Sequence, residues 1–268
     1  MITEPEDRQF NLLLNAIWRK AGLDASQYKI SYLKRRLAVR MRATQSATYA
    51  DYRRLLEGNP QEYANLLDRL TINVSTFFRD PGVYGQIKRK VIPLWQDRAR
   101  IRVWSAGCAH GQEPYSLAIS LSEGLPVSCQ WSILATDIDP TVLELAKAGR
   151  YSAASIKPVQ IDLRAKYFIF EGEERVVKPE LKRRVECRLH DLTGSLPDEQ
   201  FDLIVCRNVL IYFIGGLQER LFKGFHTRLR SGGFLVLGKT ETLLGEMRRW
   251  FDVIDIRERI YQRRETPV

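Results

Sequence analysis

Apolar residues recur three and four positions apart through the first third of the chain. Phe10, Leu13, Leu14, Ile17 and Trp18 form one such stripe, and Tyr32, Leu33, Leu37 and Met41 a second. Tyr49, Tyr52, Leu55 and Leu56 form a third, and Tyr63, Leu66, Leu67 and Leu70 a fourth. This is the period of amphipathic helices. Gly22, Thr48 and Gly58-Asn59-Pro60 lie between the stripes, and such residues start or stop helices. Residues 1–85 are therefore expected to form a small all-helical domain of about four helices.

From about residue 100 the pattern changes. Short apolar runs at Ile101–Trp104, Trp131–Thr136, Phe201–Cys206, Gly233–Leu237, Val253–Ile256 and Ile260–Arg263 read as strands. Helical patterns such as Pro114–Glu123, Thr141–Ala148 and Gly216–Leu229 fall between them. That alternation predicts an α/β domain over 86–268, with a mostly parallel sheet covered by helices. The last two strands, joined by a short link, predict an antiparallel hairpin at the sheet edge. Residues 166–190 are expected to form an inserted antiparallel β-subdomain. In it, Tyr167–Phe170 and Arg175–Lys178 make a hairpin around Glu171–Glu174, and Val185–Leu189 is its expected third strand.

A chain of 268 residues with 44% hydrophobic composition can bury a core in one or two domains. Its net charge of +10 implies an anionic partner, either nucleic acid or an acidic protein surface, with general solubility the alternative. The start, MITEPEDRQF, is acidic and lacks the apolar core of a signal peptide. The longest apolar candidate, LIVCRNVLIYF, is interrupted by Arg207 and Asn208, so no membrane insertion is expected. The four cysteines lack CxxC spacing and the three histidines show no zinc pattern. A cytoplasmic, metal-free protein with reduced thiols is the expectation.

The segment Ile101–Leu121 reads as a strand, a small-residue loop (Ser105–Gly111) and a helix opening at Pro114. That is how α/β sheets present small-molecule sites at strand carboxyl ends. The residue before a proline avoids the α region, which makes Glu113 the expected N-cap. A carboxylate would then sit where a diphosphate otherwise binds. Such a loop disfavours NAD or ATP and suits a cationic ligand such as S-adenosylmethionine. Asp137, about 26 residues after Gly111, stands where an acid reads ribose hydroxyls. Asp139 is the better helix cap before Pro140.

Three further segments draw attention. In Asn73–Asp80, Asn73, Ser75 and Arg79 can line one side of a turn or helix, although Phe77 and Phe78 equally suit inter-domain packing and Arg79 can pair with Asp80. Arg207-Asn208 follows a buried strand at once, with Tyr212 a short turn beyond, and a buried arginine needs a carboxylate or polar partner. The run YLKRRLAVRMR carries Lys34, Arg35, Arg36, Arg40 and Arg42 with few acids among them. Arg36 and Arg40 share one face.

Together these segments resemble the CheR family, the chemoreceptor glutamate methyltransferases of chemotaxis. The likeness rests on N-V-S-T-F-F-R-D, W-S-A-G-C-A-H-G-Q-E-P-Y-S, A-T-D-I-D and C-R-N-V-L-I-Y-F, in that order, and covers nearly the whole chain. It implies a helical N-terminal domain followed by a class I, Rossmann-like S-adenosylmethionine-dependent methyltransferase domain with a small β-subdomain. It also implies cofactor positions at Asn73, Ser75, Arg79, Gly107, Glu113, Asp137, Asp191, Leu192, Arg207 and Asn208. Glu113 and Asp137 would face the amino-acid end and the ribose, and Asp191 and Leu192 would border the adenine. Arg79 and Tyr212 match the pair at the methyl-transfer point.

The substrate implied is an acidic, glutamate-bearing bundle in the chemoreceptor cytoplasmic region, which Arg36 and Arg40 would dock. Two departures stand out. Gln112 occupies a position where the family often has glutamate. The turn Phe170–Arg175 is shorter and more acidic than in members tethered by a receptor C-terminal pentapeptide, so pentapeptide-independent action is expected. The rival readings are a nucleic-acid methyltransferase and a non-catalytic chemosensory module that senses the cofactor. No Asn/Asp-Pro-Pro-Tyr/Phe motif follows Phe201–Cys206 to support the first, and intact Glu113, Asp137 and Arg79 weigh against the second.

Overall fold

The computed structural model describes residues 4–21, 24–71 and 73–267. The chain divides into two compact units, Met1–Ile72 with Tyr212–Leu217, and Asn73–Ile211 with Gln218–Val268. No helix among the described residues is long and apolar enough to cross a membrane.

The first unit holds α1 (Glu4–Ala21), α2 (Ile30–Ala43), α3 (Tyr49–Gly58) and α4 (Pro60–Leu70). The stripes read from the sequence meet in one core, in which Leu13, Leu33, Leu37, Tyr52 and Leu66 are fully buried. Local chemistry sets the helix starts. Thr48 and Asp51 form a reciprocal capping box at α3. Asn59 accepts from the Glu62 amide at α4, with Pro60 in the first turn. Gly22 lies outside the described residues. Tyr212 packs its ring on Tyr32 at 4.6 Å, and its carbonyl accepts from the Lys29 amide at 2.9 Å.

The basic run on α2 is less uniform than its sequence implies. Arg40 forms a two-pronged ion pair with buried Glu62, and the Tyr52 hydroxyl donates to the same carboxylate at 2.7 Å. Lys34 pairs with Asp7 at 3.0 Å, and the Arg36 guanidinium lies 5.6 Å from the Tyr32 ring centre. Acids from neighbouring helices thus compensate charges that look unopposed along the run. Arg35 and Arg42 remain exposed.

In the second unit, α5 (Pro81–Gln86) precedes β1 (Arg100–Ala106), α6 (Gln112–Gly124), β2 (Gln130–Asp137) and α7 (Pro140–Ala148). There follow β3 (Arg150–Ser152), α8 (Ile161–Tyr167), β4 (Phe168–Glu171), β5 (Glu174–Val177), α9 (Pro179–Lys182) and β6 (Val185–Leu189). The chain closes with β7 (Phe201–Cys206), α10 (Gly215–Arg228), β8 (Leu229–Leu237), β9 (Phe251–Asp255) and β10 (Ile260–Arg263). Among the described residues seven strands form one sheet in the order β6-β2-β1-β7-β8-β10-β9. Pairing is parallel as far as β8, and β10 runs antiparallel to both of its neighbours. The mostly parallel sheet and its antiparallel end match the sequence reading.

Alternate strand residues fill opposite faces. Ile101, Val103, Ile133, Leu203 and Val205 join one core with α6 residues Tyr115 and Leu117. On β1, Trp104 instead meets Phe225 of α10, with ring centres 5.5 Å apart.

One strand assignment needs correction. Val185–Leu189 pairs parallel with β2, Ala135 opposite Cys187, and belongs to the main sheet. The small sheet has the order β3-β5-β4, so its third strand is Arg150–Ser152. A short alternating segment states that it will pair along an edge but not which edge. Parallel neighbours need a long crossover, and the small sheet is built into the β2–β6 crossover.

Removing one partner of a buried ion pair strands the other charge. Arg40→Ala is expected to destabilise the protein by roughly 3 kcal/mol in urea unfolding. Burial opposes the Glu62 charge, but Arg40 and Tyr52 outweigh it and hold the carboxyl below its ordinary value. Their contribution is therefore present at neutral pH and is lost as pH falls through that lowered value.

Candidate active site

The carboxyl ends of β1, β2 and β7 converge on a set of polar groups tied together by hydrogen bonds. After β1 the backbone turns sharply at Gly107 (φ 82°). A Cβ there would lie 2.5 Å from Val209 Cγ2, so a side chain is excluded on two grounds. The Gly107 and Cys108 amides donate to the Thr136 carbonyl at 2.8 and 2.9 Å, holding the loop to the end of β2. Asp137 binds the loop with its side chain. One carboxylate oxygen accepts from the Ala109 amide at 2.8 Å, and the other from the Asp139 amide at 3.1 Å. A carboxylate has about four acceptor directions, so Asp137 keeps capacity for ribose hydroxyls.

Asp139 caps α7 through the amides of Thr141 and Val142 and accepts from Asn73 Nδ2 at 2.9 Å. Asn73 is thereby brought to the end of β2. The Asp137 carbonyl accepts from the His190 amide at 2.9 Å, leading directly into Asp191-Leu192. The Asp191 carboxylate accepts from the Thr193 amide and hydroxyl at 2.8 and 2.6 Å, and Leu192 is buried. Ser75 is half-buried in the extended stretch that follows Asn73.

Glu113 departs from its expected role. The N-cap of α6 is Gly111 (φ 88°), and the helix begins at Gln112. A glycine in the left-handed region makes the break, so Glu113 falls inside the first turn and its side chain is released from capping. It accepts instead from Ser105 Oγ at 2.8 Å and pairs with Arg207 Nη1 at 3.4 Å. Arg207 is 2% exposed in its side chain and also binds Asp80 at 2.6 Å and the Arg79 carbonyl at 3.0 Å. Burial works against the Arg207 charge, but Glu113, Tyr84 and Asp80 hold the guanidinium above its ordinary value.

Asp80 is therefore bound to Arg207, with Lys239 at 3.5 Å, rather than to neighbouring Arg79. Arg79 donates to the Val74 carbonyl at 3.1 Å, and no carboxylate among the described residues is ion-paired with it. Phe77 packs edge-on against Tyr151 and Phe168 of the second unit. Tyr212, Arg36 and Arg40 lie in the first unit.

Glu241 was not singled out from the sequence. It lies just past β8, is 4% exposed, and accepts from the amides of Gly238 at 2.6 Å, Asn208 at 2.9 Å and Ile211 at 3.3 Å. These bonds hold Asn208 in the left-handed region (φ 61°). Its position at the carboxyl end of a strand is the signal that could have found it.

Residues 73–260 match the model of the CheR methyltransferase SAM binding domain, and residues 8–71 that of the CheR methyltransferase all-alpha domain. The chain belongs to the CheR methyltransferase family. The chemotaxis protein methyltransferase of Listeria innocua is 33% identical over 240 residues, covering 89% of this chain and 91% of its own. That of Salmonella typhimurium is 32% identical over 260 residues, covering 91% and 87%. The putative methyltransferase Cher3 of Pseudomonas putida is 35% identical over 246 residues, covering 88% and 89%.

This CheR chain is a methyltransferase that uses S-adenosylmethionine. Its residues fit that cofactor, which carries a sulfonium and an ammonium. Among the described residues, no cation is ion-paired with the buried carboxylates of Asp137 and Glu241, so the site holds negative charge in reserve. Burial pushes the carboxyl groups of Glu113, Asp137 and Glu241 above their ordinary values. Arg207 pulls against this at Glu113, and backbone amides pull against it at the other two.

Protonating these groups removes the charge a cation would meet. Affinity for S-adenosylmethionine is therefore expected to fall on acidification, starting above the ordinary carboxylate range of about 4. Calorimetric titration across pH checks this, and binding that stays flat down to about pH 4 is the contrary result.

Proposed function

We propose that this protein transfers the methyl group of S-adenosylmethionine to glutamate carboxylates of chemoreceptor cytoplasmic helices. The products are glutamyl methyl esters that serve chemotactic adaptation. The observation that carries the reading is the condition of Arg79. It is a partly exposed cation with no ion-paired carboxylate among the described residues. Its backbone is held by Arg207, which also holds Glu113. A guanidinium there that is bound to a carbonyl but to no carboxylate among the described residues suits an incoming carboxylate.

A glutamate side chain is already ionised near neutral pH, so no general base is needed. When bound, the cofactor supplies an electrophilic methyl group on a sulfonium that leaves as a neutral thioether. The chain's own work is to orient the carboxylate oxygen toward that methyl and exclude water. We assign the orientation to Arg79, and to Tyr212 on the strength of the C-R-N-V-L-I-Y-F motif alone. Asn73, Ser75, Gly107, Glu113, Asp137, Asp191, Leu192 and Asn208 are assigned to the cofactor. Arg207 is too buried to reach outward, and its part is to hold Glu113 and the Arg79 backbone.

Docking of the acidic receptor bundle is assigned to α2, on Arg35 and Arg36, because Arg40 is engaged with Glu62. A receptor C-terminal pentapeptide has no part in the proposal. The β4–β5 turn is short, and Arg150 ties its Glu171 and Glu174 together at 2.8 and 2.5 Å. Arg175 lies 4.6 Å from the Phe170 ring centre, so the turn's own groups engage one another.

Incubation with methyl-labelled S-adenosylmethionine and receptor fragments lacking a C-terminal pentapeptide should give base-labile label on the fragments. Arg79→Ala should lower turnover at saturating cofactor by about a hundredfold; near-normal turnover would remove the role. Label on RNA alone would replace the reading with a nucleic-acid methyltransferase, and label on neither with a non-catalytic module. The double reversal Arg35→Glu/Arg36→Glu should raise the KM for receptor in a salt-sensitive way and leave kcat unchanged. An unaltered KM would move docking off α2.

A further inference from the structure

The loop after β1 is held in an unusual shape. Gly107, Ala109 and Gly111 all lie in the left-handed region, at φ 82°, 47° and 88°. Glycine takes that conformation freely, whereas alanine is opposed by its own Cβ. Such a residue persists only where its surroundings over-determine it. Two side chains do so here. The Ala109 amide donates to the Asp137 carboxylate at 2.8 Å. The next carbonyl, that of His110, accepts from the Tyr151 hydroxyl at 2.8 Å.

Tyr151 comes from outside the main sheet. It is the middle residue of β3 and lies opposite Arg175 of β5 in the small sheet. It is buried, and its ring packs edge-on against Phe77 at 4.9 Å and Tyr115 at 6.3 Å. Its hydroxyl passes so close to the loop that a Cβ on Gly111 would lie 2.9 Å from it. Burial pushes the phenol well above its ordinary value, so the hydroxyl keeps its proton and remains a donor.

We propose that Tyr151 is a positioning residue for the cofactor, acting through His110 to hold the loop after β1 in its binding shape. The inference rests on the assignment of Gly107 and Asp137 to S-adenosylmethionine and is independent of the methyl acceptor. Losing the hydroxyl frees the His110 carbonyl, and Ala109 then relaxes out of the left-handed region. Its amide turns away from Asp137, and that carboxylate loses a bond that aims it. A loop that holds its binding shape only part of the time binds more weakly by that fraction. Tyr151 carries no charge, so cofactor and product are affected alike. The small sheet, built into the β2–β6 crossover, thereby takes part in cofactor binding through this hydrogen bond.

The test is calorimetric titration of S-adenosylmethionine and S-adenosylhomocysteine against the full chain and its variants. Tyr151→Phe keeps the ring packing and removes only the hydroxyl. It is expected to weaken both ligands alike by about fivefold, the worth of one hydrogen bond. Ala109→Gly removes the Cβ that opposes the left-handed conformation. Added to Tyr151→Phe, it should restore affinity to within about twofold of the unaltered chain. A general loss of packing would not be repaired by a glycine. Asp137→Asn controls for the cofactor assignment and should weaken both ligands by about tenfold or more, because hydrogen bonds to a charged group are the stronger kind. Unchanged affinity in Tyr151→Phe overturns the proposal, as does a double variant no tighter than Tyr151→Phe alone. Unchanged affinity in Asp137→Asn overturns instead the assignment of the loop to the cofactor.

Discussion

A single buried guanidinium holds the second unit's site together. Arg207 follows directly on the fully buried strand β7 and is removed from water, where an arginine cannot shed its charge. It therefore gathers partners from distant parts of the chain: Glu113 from α6, Asp80 and the Arg79 carbonyl from the stretch before α5. Each contact serves a second purpose. Glu113 is tied to the end of β1 through Ser105, and the Arg79 carbonyl is held while no carboxylate among the described residues is ion-paired with its side chain. A cation that looks like a ligand-binding group in sequence has its guanidinium occupied by two carboxylates and a carbonyl of its own chain.

The same economy of charge recurs in the helical unit. Arg40 belongs by sequence to a basic face, yet Glu62 and Tyr52 draw it inward. In both units an ion pair joins segments far apart in sequence, and its removal strands the remaining charge. What is left over matters as much as what is paired. Among the described residues no cation is ion-paired with Asp137 or Glu241, and backbone amides hold both.

The elaborated crossover between β2 and β6 follows from topology. Parallel strands cannot be joined by a hairpin, so the chain must leave the sheet and return. Here the excursion carries α7, the small sheet, α8 and α9 before β6 re-enters beside β2. The hairpin β4–β5 was legible because its two strands are adjacent in sequence and alternate cleanly. The assignment of Val185–Leu189 was not, since its pairing partner lies about fifty residues earlier and no local pattern specifies a partner.

Periodicity, capping residues and glycine placement determined the helices of the first unit, the main strands and the loop at Gly107, because these depend on interactions within a few residues. The order of motifs likewise pointed to the family and to a cationic cofactor. Only the tertiary structure decided which charges are free. Glu113 lies within the helix rather than capping it, Asp80 turns from Arg79 to Arg207, Arg40 is withdrawn to Glu62, and Glu241 is buried among the amides of Gly238, Asn208 and Ile211. The physical reason is common to all four: the state of an ionisable side chain depends on burial and on partners brought by the fold, and neither is written in the spacing of its neighbours.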